Sequence, residues 1–143
     1  MSLDEKRWWA YAAIALVAPA IYFAVVLPQA LGTPVDQIEF QLPLLIAGGG
    51  GAVLAVIANI VLRLASGITS AEGVVQTDQR DRDIHRRGEY VAGIVLAIAL
   101  AVPFALTLLE VDHFWIANAM YLAFVLWALA SSAVKLVSYR RGF

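Results

Sequence analysis

The chain has 143 residues, a formal net charge of −1, two histidines and no cysteine. The missing thiols exclude disulfides, thiolate catalysis, Cys-ligated zinc and iron–sulfur clusters. The near-zero charge speaks against a nucleic-acid partner recruited by bulk positive potential. The hydrophobic fraction of 62 % exceeds the roughly 45–50 % of soluble domains, and mean hydropathy is +0.78. A soluble domain of this size has too much surface to hide that much apolar material, so the sequence predicts an integral membrane protein in a single membrane domain.

Met1–Arg7 is a short charged start, and the block from Trp8 to Leu27 carries no charge. At 1.5 Å per residue about 20 residues cross a 30 Å hydrocarbon core, so the block fits one span. It outruns the roughly 7–15 apolar residues of a secretory leader and has no small-x-small exit, so a retained span is expected. Trp8, Trp9 and Tyr11 stand where amphipathic rings favour the headgroup level. Pro19 predicts a kink, and Pro28 is read as the exit. Residues 29–41 are read as a loop with Asp36 and Glu39 and no Lys or Arg.

The second span is placed at 42–62, with Pro43 tolerated in its first turn. Ala47, Gly51, Ala55 and Asn59 recur every four residues and share a face, which reads as a helix-packing seam of small residues. Residues 64–77 are read as a loop or interfacial segment. The third span, 90–109, carries Gly93, Ala97, Ala101 and Ala105 at the same spacing, a candidate mate for the first seam. Pro103 predicts another kink, and Thr107 is expected to bond back to its own helix. Glu110–His113 is too short for anything but a tight antiparallel turn. The fourth span, 114–134, has Trp115 at its entry and Asn118 a turn inside. Lys135 is expected to snorkel to the interface, ahead of the basic tail with Arg140 and Arg141.

All ten Lys and Arg residues fall on one side if the N-terminus, the middle segment and the C-terminal tail share it, while Asp36, Glu39, Glu110 and Asp112 fall on the other. The positive-inside rule then predicts both termini in the cytoplasm. The expected fold is all-α, a four-helix bundle running up-down-up-down.

The one dense polar run is Asp78-Gln-Arg-Asp-Arg-Asp-Ile-His-Arg-Arg-Gly-Glu-Tyr90, with four of the ten basic and four of the eleven acidic residues. Read as a cytoplasmic helix over 78–89 continuous with the third span, with Thr77 or Asp78 as N-cap, it holds Asp78–Arg82 and Asp83–Arg87 at the favoured acid-to-base spacing. Each such pair contributes about 0.2–0.5 kcal/mol. Two readings stay open. One is a solvated, self-paired helix start; the other is an interaction surface built from Asp78, Arg80, Asp81, Arg82, Asp83, His85, Arg86 and Arg87 with Arg140 and Arg141. That surface would meet a second copy, a soluble or membrane partner, or anionic headgroups of the lipid bilayer. Asp81, His85 and Glu89 share a face at a spacing that suits a divalent ion. Any charge-rich helix produces such triplets, so no metal is assigned.

Chemistry is otherwise sparse. His85 and His113 lie at opposite faces and cannot jointly ligate a haem iron, and no cofactor is expected. No nucleophile–base pair is visible, so catalysis is disfavoured. Proton-coupled transport is disfavoured because the span interiors hold no ionisable residue. Asn59 and Asn118 read as interhelical hydrogen-bonding residues, Asn59 facing Ser131 or Ser132 and Asn118 near Thr107.

The stretch Asp78-Gln-Arg-Asp-Arg-Asp-Ile-His-Arg-Arg-Gly88 and the closing segment from Phe114-Trp-Ile-Ala-Asn118 to Val134-Lys-Leu-Val-Ser-Tyr-Arg-Arg-Gly-Phe143 resemble a group of small bacterial membrane proteins of uncharacterised function. These share a cytoplasmic D-x-R-D-x-x-I-x-R-R-G stretch. The resemblance covers about the second half of the chain. It implies a bacterial inner-membrane location and transfers no activity or catalytic residue. The leading expectation is a non-enzymatic, homo-oligomeric or accessory interaction protein presenting the charged helix. The alternative is a small oligomeric transporter or channel for an uncharged or lipophilic solute, using backbone carbonyls freed at Pro19 and Pro103.

Overall fold

The structure, a computed structural model, describes residues 3–65 and 79–141. Four long helices account for nearly all of them: α1 (Leu3–Gly32), α2 (Gln41–Ala65), α3 (Gln79–Leu108) and α4 (His113–Arg141). Each contains a stretch long and apolar enough to cross a membrane, Trp8–Gly32, Gln41–Val61, Arg82–Leu108 and His113–Arg140. The chain is thus an all-α four-helix bundle, as the apolar blocks predict. Helix is what such blocks must form where no water is at hand, because it satisfies every backbone group within the segment.

Packing gives the order α3–α4–α1–α2: α3 lies along α4, α4 along α1, and α1 along α2. Trp8 of α1 meets Lys135 of α4, and further along Tyr22 meets Asn118. Those two helices therefore run antiparallel, as do both short-looped pairs. The result is up-down-up-down, with α2 held mainly by α1.

Several boundaries move outward from the sequence reading. Pro28 does not end α1, which continues to Gly32, and the Gln29 amide donates to Val25 O (3.0 Å) in that last turn. The connector after it is no plain loop. It makes a 3-10 turn over Val35–Gln37 and buries Ile38 and Phe40 against Tyr22, Val26 and Phe114. As the sequence reading expects, the charged run from Gln79 is continuous with the third span in one helix, while α4 outruns its expected end and carries the basic tail to Arg141. Thr77 and Asp78, the expected N-cap, lie outside the described residues, as does the segment 66–77.

The α3–α4 turn is built by backbone bonds. Val111 N donates to Leu106 O (3.1 Å) and Glu110 N to Thr107 O (3.1 Å), the paired bonds of a Schellman C-cap. Glu110 occupies its left-handed position at φ 52°. Asp112 Oδ1 then accepts from Phe114 N (2.8 Å) and caps α4. Thr107 Oγ1 donates to Pro103 O (2.8 Å).

A cluster of buried hydrophobic residues lies at this acidic end. Phe40 and Phe114 meet edge to face, with centroids 5.2 Å apart. Just below them Tyr22, Phe23 and Tyr121 form a three-ring cluster. The outer faces stay apolar: Leu45, Val53, Ile57, Ile98 and Phe104 are all exposed, which suits hydrocarbon rather than water.

Candidate functional site: an apolar cavity with an ion pair at one end

Below the ring cluster α2 parts from α4 and leaves a cavity of about 420 Å³, within the roughly 300–1,000 Å³ of small-molecule sites. α1 contributes Tyr11, Ile14, Ala15, Ala18 and Pro19 to its wall, and α4 contributes Tyr121, Phe124, Val125, Trp127 and Ala128. The α2 wall is Ala47, Gly48, Gly51, Ala52 and Ala55, so the small residues read as a packing seam form one side of a hollow. Only Gly48 makes a close approach: a Cβ there would stand 3.5 Å from the Tyr121 ring, whereas one on Gly51 would meet nothing within 4 Å. Pro19 cannot donate to the carbonyl of Ala15, and both residues border the cavity.

At its basic end the cavity is lined by Trp8, His85, Glu89, Ser131, Ser132 and Lys135. Here the structure overturns one expectation. Lys135 does not snorkel: it is 1 % exposed, and its Nζ lies 2.5 Å from Glu89 Oε1 and 3.8 Å from the centre of the Trp8 ring. Glu89 and Lys135 stand just outside the third and fourth spans as read from the sequence, 90–109 and 114–134, whose interiors hold no ionisable residue. The cause is local. Gly88 lacks a Cβ, and one placed there would sit 2.7 Å from Lys135 Cγ and Cε. The lysine stem therefore lies flat on α3, its ammonium beside the next residue's carboxylate. Ser131 Oγ donates to the same Oε1 (3.0 Å), being one turn before Lys135 on α4. The His85 ring packs 6.1 Å from the Trp8 ring, and the Arg140 guanidinium lies 5.3 Å from the Trp9 ring.

The other sequence candidates distribute as follows. Arg82, Asp83, His85, Arg86 and Arg87 are exposed on α3, with Ile84 and Gly88 turned inward. The side chains of Arg80, Asp81 and Arg141 lie outside the described residues. Of the Asp81–His85–Glu89 triplet, the Asp81 side chain lies outside the described residues, and Glu89 Oε1 accepts from Lys135 and Ser131. Asn118 is not bonded to Thr107. Its Oδ1 accepts from Tyr22 OH (2.9 Å) and its Nδ2 donates to Phe114 O (2.8 Å), tying α4 to α1. Asn59 Oδ1 is buried without a hydrogen-bond partner among the described residues, so it accepts from neither Ser131 nor Ser132. Gly93, Ala97 and Ala101 are exposed on α3, so the two small-residue stripes are not brought together within the chain.

Sequence reasoning missed Glu89, Lys135, Gly88 and Trp8 as one site. The usable signal was the pair Gly88–Glu89 at the border of charged and apolar residues, matched by Ser131 and Lys135 one turn apart at the same border of the fourth span. Comparison with known protein families, with curated proteins and with solved structures returns no match for this chain.

Proposed function

We propose that this chain is a multi-pass membrane protein that takes a lipophilic solute into the cavity between α1, α2 and α4, with both termini and the charged start of α3 in the cytoplasm. The observation that carries this reading is the cavity itself. It has almost wholly apolar walls, reaches from the basic end to Pro19, Gly48 and Tyr121, and stops at the Tyr22–Phe23–Tyr121 cluster. A blind pocket favours binding or stepwise carriage over open conduction. Orientation rests on the placement of all ten basic residues at one end of the bundle. An apolar fluorophore titrated into the purified protein in nanodiscs tests the reading. Saturable binding is expected, with loss of about tenfold or more in affinity for Gly51→Leu, whose side chain projects into open space. Wild-type binding no greater than that of empty nanodiscs would discard it.

A second reading keeps the interaction protein. The α3 stripe of Gly93, Ala97 and Ala101 is exposed and unmatched within the chain, which suits close approach of a second copy. The exposed Arg82, Asp83 and Arg86 would then be displayed by that pair of helices.

A further inference from the structure

Resting on the reading of the cavity as a solute site, we infer that its ligand is an uncharged single-chain amphiphile with a hydroxyl-bearing head, its tail between α1, α2 and α4 and its head at Glu89 and Ser132. Length fits a tail. From Lys135 to Tyr121 the α4 wall runs 14 residues, or about 21 Å along the helix axis, and the volume of about 420 Å³ suits one long chain rather than two.

Charge selects the head. The polar end of the cavity holds one ammonium and one carboxylate in contact with each other. Lys135 also has the Trp8 face against it, so among the described residues that line the cavity no unpaired ammonium or guanidinium awaits an anionic head. A carboxylate or phosphate would have to displace Glu89 and leave two negative groups around one ammonium. A cationic head would meet the ammonium of Lys135, which is buried and cannot withdraw. Hydrogen-bonding capacity, by contrast, is left over. The bonds from Lys135 and Ser131 both end on Glu89 Oε1, which leaves Oε2 as an acceptor. Ser132, 3 % exposed, lines the same end, and its hydroxyl takes no partner among the described residues. A hydroxyl both donates and accepts; it answers the carboxylate oxygen and the serine together. The Ser132 hydroxyl, buried as it is, is left unmatched by a ligand that lacks the hydroxyl, which penalises that ligand.

The test uses the full chain in nanodiscs with Trp9→Phe and Trp115→Phe, so that emission comes from Trp8 and Trp127 in the cavity wall. Four brominated chains of one length are titrated as quenchers: an alkanol, its methyl ether, an alkanoate and an alkyl-trimethylammonium. Saturable quenching by the alkanol about tenfold tighter than by the other three is expected, and Ser132→Ala is expected to narrow that preference. Equal or tighter binding of the alkanoate or the ammonium, or a preference unmoved by Ser132→Ala, would overturn the head-group assignment while leaving the cavity as a solute site. Quenching that is no stronger than in Gly51→Leu for any of the four would instead remove the solute site itself, and this inference with it.

Discussion

Lys135 shows how far one residue's environment can depart from its type. A lysine at the end of an apolar helix ordinarily reaches for the headgroups, and this one has a basic tail one turn further on to follow. It turns inward because α3 offers a flat strip at Gly88, a carboxylate at Glu89 and, through α1, the face of Trp8. The pair is asymmetric. The Lys135 side chain is 1 % exposed and that of Glu89 40 %, so the two partners tolerate loss of the other differently. Glu89→Met strands a buried ammonium and is expected to cost about 3 kcal/mol. Lys135→Met leaves a carboxylate that can hydrate, at about 1 kcal/mol. The double variant Glu89→Met/Lys135→Met should lie near wild type, since apolar replacement of a buried pair is often neutral. Unfolding in mixed micelles against SDS measures all three; equal costs for the two single variants would contradict the asymmetry.

At the scale of the helices, ends and crossings matter more than interiors. The C-cap of α3 places Glu110 at φ 52°, a conformation that costs an L side chain roughly 1 kcal/mol. Glu110→Gly is therefore expected to stabilise the protein by about 0.5–1 kcal/mol in the same titration, and a loss of stability would mean that the side chain makes a compensating contact. The α1–α4 crossing is pinned by Tyr22 and Asn118. A double-mutant cycle of Tyr22→Phe and Asn118→Leu should return a coupling of about 0.6 kcal/mol, the usual worth of such bonds between membrane helices; a coupling near zero would show that the crossing is held by ring packing alone. The α2 helix lacks any comparable polar tie among the described residues, and no residue of its membrane-capable stretch is fully buried.

For the whole molecule this weak hold on α2 decides the shape. The α3–α4 hairpin, α1 across it and α2 against α1 make an arc in which α2 and α3 have little mutual contact. One consequence is the cavity; another is that the small-residue stripe of α3 faces outward. If that stripe is a self-association face, Ala97→Cys in this cysteine-free chain should give a disulfide-linked dimer in oxidised membranes, and Ile98→Cys on the neighbouring face should not. Equal crosslinking of both would count against a specific contact.

The amino-acid sequence by itself determined the four helices, their antiparallel order and the sharp α3–α4 turn. These follow from local quantities: the length of each uncharged run, the prolines and capping residues near its ends, and the demand that backbone groups in hydrocarbon bond within their own segment. It also marked Asp78–Tyr90 as the place where polar and apolar chain meet. Which groups meet there was left to the tertiary structure. Glu89 and Lys135 are 46 residues apart, and no periodicity links them; their contact depends on the register of α3 against α4 and on the missing Cβ of Gly88. The Tyr22–Asn118 bond, 96 residues apart in sequence, and the hollow beside Gly51 have the same origin. Small residues on a helix face permit close packing but do not compel it, and only the placement of α2 against α1, away from α4, turned that face into the wall of a cavity.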